Sequence, residues 1–291
     1  LVFGPFSSRT LAHLAVLPQY AWTDEAGRRW ELEGGISWDG SNRDANAISG
    51  MARLGWQQRL ADDRLLKGYL HFSEATQVPG YTAIASNPNG GLFRGNPNLG
   101  RESSRNFEWG LGLSRDGWSV QGALFYREDQ DLVDWVFNSV ATPFASRFAE
   151  NVDIENWGLE VFSAFSRGSL ESRIGYAFLS KDEDYGVSGV DGSFYALNYP
   201  EHRFTLSFLW QPGETFSFQA DQEWRSQEEN PLRNGRDSGW FGQLGATWKP
   251  MPNTPLRLAL RVNNLWDIAF EEVPGVPGAG RQVSLMAEYG F

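Results

Sequence analysis

The sequence predicts an all-β fold, a transmembrane antiparallel up-and-down β-barrel, and three observations predict it. Apolar and polar residues alternate with period 2 in segment after segment. Many of the apolar faces so defined begin or end on Trp, Tyr or Phe. The connections alternate between short turns and long polar stretches.

The segments are taken in chain order. The first four are the weakest: residues 12–20, 30–38, 52–56 and 66–72. From there the pattern sharpens. Phe107, Trp109, Leu111 and Leu113 oppose Glu108, Gly110 and Gly112, and Trp118, Val120, Leu124 and Tyr126 oppose Ser119 and Gln121. Trp157, Leu159, Val161 and Phe165 oppose Gly158 and Glu160. Leu170, Ile174, Tyr176 and Phe178 oppose Glu171 and Arg173, with Ser172 interrupting the apolar face. Phe204, Leu206, Phe208 and Trp210 oppose Arg203, Thr205 and Ser207. Phe216, Phe218, Ala220 and Trp224 oppose Ser217, Gln219, Asp221 and Glu223. Trp240, Leu244, Ala246 and Trp248 oppose Gln243 and Thr247. Leu256, Leu258, Leu260 and Val262 alternate with Arg257, Ala259, Arg261 and Asn263. Last, Val283, Leu285, Ala287, Tyr289 and Phe291 share one face and Ser284, Met286, Glu288 and Gly290 the other.

That makes about 13 strands. A strand crossing the hydrocarbon at a tilt needs roughly 9–11 residues, with aromatics at the two interfaces. Two arginines turned into a dry core would be costly, but in a wet lumen they cost little. Short turns are expected at 115–117, 167–169, 211–214 and 249–255, and long segments at 76–106, 130–155, 181–201, 226–238 and 263–281. In an outer-membrane barrel the short turns are periplasmic, which places the C-terminus on the periplasmic side and the long segments outside the cell.

Composition agrees. Of the 291 residues 14% are aromatic, including 13 Trp, and no apolar run is long enough for a transmembrane helix. There is no Cys, which excludes disulfides, thiol catalysis and cysteine metal sites. The net charge of −11 argues against a nucleic-acid partner. No charged n-region and apolar h-region follow Leu1, so a leader is expected to have been removed or the natural start to lie upstream.

Four stretches carry a family resemblance. Residues 95–108, GNPNLGRESSRNFE, resemble the loop-to-strand motif of TonB-dependent receptors, NPNLxxE followed by a strand. Residues 151–160, NVDIENWGLE, resemble that family's strand with a Gly before an inward Glu. Val262-Asn263-Asn264-Leu265-Trp266-Asp267 is similar to its ENLFD strand end, and residues 274–291 resemble its last loop and strand. The resemblance implies a barrel of about 22 strands with a plug inside it, an outer-membrane location, and TonB-driven import of a scarce nutrient such as a siderophore or cobalamin. On this reading residues 1–291 are the C-terminal part of the barrel domain, and the plug domain and TonB-contacting segment lie outside this chain.

The site residues follow. Glu160, Glu171, Arg173, Arg203, Asp221, Glu223, Arg257 and Arg261 are expected on the lumen side. The resemblance makes them candidate plug contacts; simple solvation of a wet lumen is the alternative. Phe291 and Tyr289 resemble the terminal signal read by the barrel-assembly machinery. Other partners expected are outer-membrane lipid, TonB with the plug in the full-length protein, and chains that complete the barrel. No enzyme activity, cofactor or metal site is expected. His13, His71 and His202 have no partner at ligand spacing and read as lumen or loop residues; Ser73 beside His71 is a chance pairing in a strand; 181–185 reads as a solvated loop tip rather than a calcium loop. The Gly-rich stretches 88–95 and 274–280 have no following helix and Lys, so neither cradles phosphate. A scaffolding barrel that transports nothing and a passive pore are the competing functional readings.

Overall fold

The computed structural model describes residues 8–87, 89–138, 146–250 and 255–290. The first part of the chain forms β1 (Leu11–Val16), β2 (Gln19–Thr23), β3 (Arg29–Ser41), β4 (Ala47–Arg59), β5 (Leu65–Gln77), the one-turn helix α1 (Tyr81–Ala85) and β6 (Phe93–Arg94). The middle forms β7 (Glu102–Arg115), β8 (Trp118–Phe137), β9 (Arg147–Arg167), β10 (Leu170–Asp184), β11 (Gly192–Ser193) and α2 (Phe194–Leu197). The last part forms β12 (Pro200–Trp210), β13 (Phe216–Gln227), β14 (Ser238–Trp248), β15 (Leu256–Asn263), β16 (Glu271–Val273), β17 (Val276–Pro277) and β18 (Gln282–Tyr289). Among the described residues no helix is long and apolar enough to cross a membrane.

The wall is one path, β1-β3-β4-β5-β7-β8-β9-β10-β12-β13-β14-β15-β18, with every neighbouring pair antiparallel. It matches the strand count read from alternation. β2 continues β1 against β3. The break falls at Leu17-Pro18, where proline has no N–H to give the ladder. Among the described residues the path is open, running from β1 to β18, so the sheet is a partial barrel wall.

Directly opposed residues share a face, so the register carries each face from strand to strand. Tyr20, Leu32, Leu54, Leu70, Trp109, Leu124, Leu159 and Phe178 form one continuous row. Leu170, Trp210, Phe218, Ala246, Leu260 and Leu285 form another on the same face. Many of these large side chains are exposed, Leu285 at 78%. For a sheet surrounded by water that exposure would be an aggregation hazard. The opposite face carries the charges. Two aromatics on it lie across glycines of the next strand: the Tyr69 ring over Gly110 and the Phe125 ring over Gly158, where a Cβ would overlap the ring.

Several expectations about strand ends need correction. The sequence reads 130–155 and 181–201 as loops, yet β8 and β9 run for 20 and 21 residues and β10 reaches Asp184. For β8 the cause is a bulge. The β8–β9 register shifts between Asp129 and Leu132, with Asp131 at φ 55°. One extra residue flips the inward set of β8 from odd to even numbers, and a strict period-2 reading stops there. The 263–281 connection contains the β16–β17 hairpin, turned at Gly275 with φ 78°. Part of the 249–255 turn lies outside the described residues.

Candidate functional site

All eight charged residues expected on the lumen side share the polar face. In the register Glu160 faces Ala123 and Ala177, Glu171 faces Ser166 and Leu209, and Arg173 faces Ala164 and Ser207. Arg261 faces Gly245 and Ser284. Three of the eight are brought together in a ladder across β12 and β13. Arg203 Nη2 donates to Glu223 Oε2 at 3.0 Å, and the Ser207 hydroxyl donates to Asp221. Arg257 lies 3.7 Å from Glu288 on β18. Glu160, Glu171, Arg173 and Arg261 form no ion pair within the described residues. Their charges are therefore not neutralised by the wall itself.

Sequence reasoning missed Arg225, which completes the ladder. It donates to Glu223 Oε1 at 2.7 Å, pairs with Glu272 at 3.1 Å and lies over the Phe241 ring. One further step of the alternation through 221 and 223 would have reached it. His13 lies 2.8 Å from Asp39 on the polar face, and His71 faces Arg53 and Glu108. His202 departs from the lumen-or-loop expectation. It lies on the apolar face, with Tyr176 OH at 3.0 Å from its Nδ1 and Phe178 and Trp224 rings beside it, so it belongs to the aromatic girdle. Ser73 lies two residues from His71 on the polar face, opposite Met51 and Asn106. Residues 181–184 are strand, paired with 153–156, rather than a loop tip.

On the side opposite the short turns, the β8–β9 hairpin rises beyond the apolar band, whose upper rim is Phe107, Tyr126 and Trp157. Two connections interlock around it. β6, from the connection between β5 and β7, pairs with β9; β11, from the connection between β10 and β12, pairs with β8. Each pairs with the hairpin strand farther from its own flank, so the two connections cross on opposite faces. One face buries Ala83, Leu99 and Ala149 with Val133 and Trp135. The other buries Val136, Val152, Ile154 and Ala196 with Leu132, Phe148, Tyr185 and Val190.

The residues that carried the family resemblance build this roof. Asn96 Oδ1 accepts from Asn98 N at 3.0 Å, Leu99 is buried, and Gly100 N donates to Asn151 Oδ1 at 2.8 Å. Asn264, at φ 46°, accepts from Ile268 N and donates to Ala279 O, both at 3.0 Å, which closes the next long connection. Trp266 then donates its indole N–H to Gln222 at 2.9 Å.

The polar side of the roof holds a cluster that the sequence did not single out. Asp134, 4% exposed, accepts from Tyr195 N at 2.7 Å, and burial raises its pKa. Lys181 Nζ donates to Tyr195 O at 2.9 Å and stands 3.7 Å from the Tyr195 ring centre and 4.5 Å from that of Tyr199. Burial lowers its pKa to about 8. The Tyr199 hydroxyl donates to Glu228 at 3.1 Å; burial, and then the Glu228 charge, push that phenol well up.

Comparison with known proteins gives one family. Residues 6–265 match the family described as TonB dependent receptor-like, beta-barrel. The vitamin B12 transporter BtuB of Photobacterium profundum is 29% identical over 124 residues, which cover 40% of this chain and 19% of that relative. Among solved structures, the fold is similar to that of the siderophore receptor PirA from Acinetobacter baumannii. Its TM-score is 0.67 at 16% identity, covering 97% of this chain and 46% of that one. The FrpB iron transporter from Neisseria meningitidis gives 0.67 at 17% identity, with 97% and 46% covered. The copper transporter OprC gives 0.66 at 14% identity, with 97% and 48% covered. This chain thus spans about half the length of the solved structures it matches and a smaller share of the curated relative.

Proposed function

The chain belongs to the TonB-dependent receptor β-barrel family, and from that premise we propose that it is the C-terminal part of the barrel wall of a receptor that imports a scarce nutrient, such as a siderophore or cobalamin. Its place is the outer membrane. The relatives it matches are named for vitamin B12, siderophores, iron and copper.

One observation carries the reading. A single sheet presents a continuous apolar face, a charged opposite face, and interlocked long connections at one end only. The apolar face lies against lipid. The charged face lies toward a plug, and the four wall charges without a wall partner, Glu160, Glu171, Arg173 and Arg261, are the ones with capacity left to hold it. The roof is extracellular and meets ligand first.

The test is uptake by cells expressing the full-length receptor, using labelled cobalamin and ferric siderophores. Uptake that vanishes when TonB is deleted is the expected result. Uptake that persists without TonB would mean a passive pore, and no uptake of any compound would favour a scaffolding barrel. The terminal signal is a separate proposal. Tyr289 lies on the apolar face opposite Leu256, whereas Phe291 lies outside the described residues. A strand with one apolar face and an available edge is a template for β-augmentation by the assembly machinery. Truncation at Gly290 is expected to slow insertion and leave precursor in the periplasm; normal insertion would refute it.

A further inference from the structure

We propose that the rings of Tyr195 and Tyr199 form a recognition subsite for an organic ammonium group, and that the side chain of Lys181 is its internal stand-in. The proposal deepens the receptor reading and rests on it for one point, that the roof is where ligand arrives.

The geometry is that of a cation site already filled. Aromatic faces carry negative potential, and an ammonium within about 6 Å of a ring centre is attracted to it. Lys181 Nζ meets two such faces at once, at 3.7 and 4.5 Å, and gives a hydrogen bond to Tyr195 O. Carboxylates hold both rings of the cage: Asp134 accepts from the Tyr195 backbone N–H, and Glu228 accepts from the Tyr199 hydroxyl. The cation Arg127, two residues from Asp129 on β8, is paired with that carboxylate at 2.7 Å. A second ammonium therefore finds a negative surrounding once the lysine withdraws.

The cage does not depend on the lysine side chain for its shape. Tyr195 is fixed through its backbone N–H to Asp134 at 2.7 Å, and β11 is fixed to β8. Tyr199 is fixed through its hydroxyl, which donates to Glu228 at 3.1 Å and accepts from the Lys181 backbone N–H at 3.3 Å. Lys181, by contrast, is a point charge on a flexible four-carbon stem and can leave without breaking the ladder. Access is one-sided. Tyr199 is 6% exposed and forms the closed wall, while Tyr195, 45% exposed, forms the open one.

The test is calorimetric titration of the full-length receptor in detergent with phenyltrimethylammonium, at constant ionic strength against sodium chloride. Removing the stand-in by Lys181→Ala is expected to tighten binding about tenfold over wild type, the scale of one good cation–π contact. Lys181→Met, which keeps the stem's bulk, guards against collapse of the cage and is expected to bind in the same order. Adding Tyr195→Ala to either variant is expected to abolish the gain. Equal affinity in Lys181→Ala with and without Tyr195→Ala, or no gain in either lysine variant, would overturn the proposal and leave Lys181 as a latch on α2. Since the readout is binding, it stands or falls separately from nutrient import.

Discussion

Phe125 lays its ring across Gly158 on the neighbouring strand, in space that a Cβ at position 158 would occupy. The contact is on the polar face, so it is packing inside the wall rather than lipid contact. It gives a physical reason for the glycine that stands two residues before the inward Glu160. The prediction is that Gly158→Val destabilises the folded wall by about 1–3 kcal/mol, the usual cost of overpacking. Phe125→Ala in the same protein is expected to restore part of that loss. Urea unfolding midpoints of the single and double variants check it, and additive losses would contradict the contact.

Leu260 sits on the apolar face between Ala246 and Leu285. Leu260→Arg is expected to cost about 2–4 kcal/mol in a lipid bilayer if it lies near the midplane. Ser217→Arg, on the polar face of β13 opposite Thr247, is expected to cost far less. Reversible unfolding from vesicles measures both, and equal losses would argue that the two faces see the same medium.

Asn151 joins two parts of the roof. Its Oδ1 accepts from Gly100 N at 2.8 Å and its Nδ2 donates to Asp131 O at 2.5 Å. Asn151→Ala leaves both partners unsatisfied, at about 1–3 kcal/mol for each one that stays buried. The expected outcome is faster amide exchange at residues 96–101 and at the Asp131 bulge, with the membrane-spanning strands unchanged. Exchange mass spectrometry resolves the two regions.

Lys181 lies beyond the apolar band, one step past the Ser180–Trp157 pair. Its folded pKa of about 8 is below the reference 10.5. Between those values the unfolded chain binds more protons, so this group's contribution to stability rises with pH across that window; below it the buried charge carries its full desolvation cost. Labelled-lysine NMR is expected to show one resonance with a midpoint near pH 8, absent in Lys181→Met. A midpoint at the reference value would show a wetter cluster.

The sequence by itself determined the thirteen strands of the wall and which face each residue takes within the membrane band, though not how far β8, β9 and β10 extend beyond it. Alternation is a local property: each strand must separate hydrocarbon from water, so Leu258 and Arg257 record their two environments without reference to any other strand. The same logic placed all eight charges expected in the lumen on one face of the sheet, and through turn length it separated the two ends of the wall. The motif resemblance picked out Asn96 to Glu102 and Asn264, but not what they do, because their hydrogen bonds run to Asn151 and Ala279, partners those short motifs do not pair them with.

Only the tertiary structure decided the rest, and the reason is physical in each case. The β8–β9 extension is hidden from period-2 reading because the Asp131 bulge reverses parity, and because both faces of the hairpin are buried by loops, which removes the contrast that alternation depends on. His202 joins the girdle because the rings of Phe178 and Trp224, on the two neighbouring strands, flank it, a meeting its own segment does not show. The cage of Lys181, Tyr195 and Tyr199 is assembled from a strand and the connection that follows it, folded back by contacts to Asp134 on another strand. No spacing along the chain encodes that meeting; it exists only once β11 has crossed to β8.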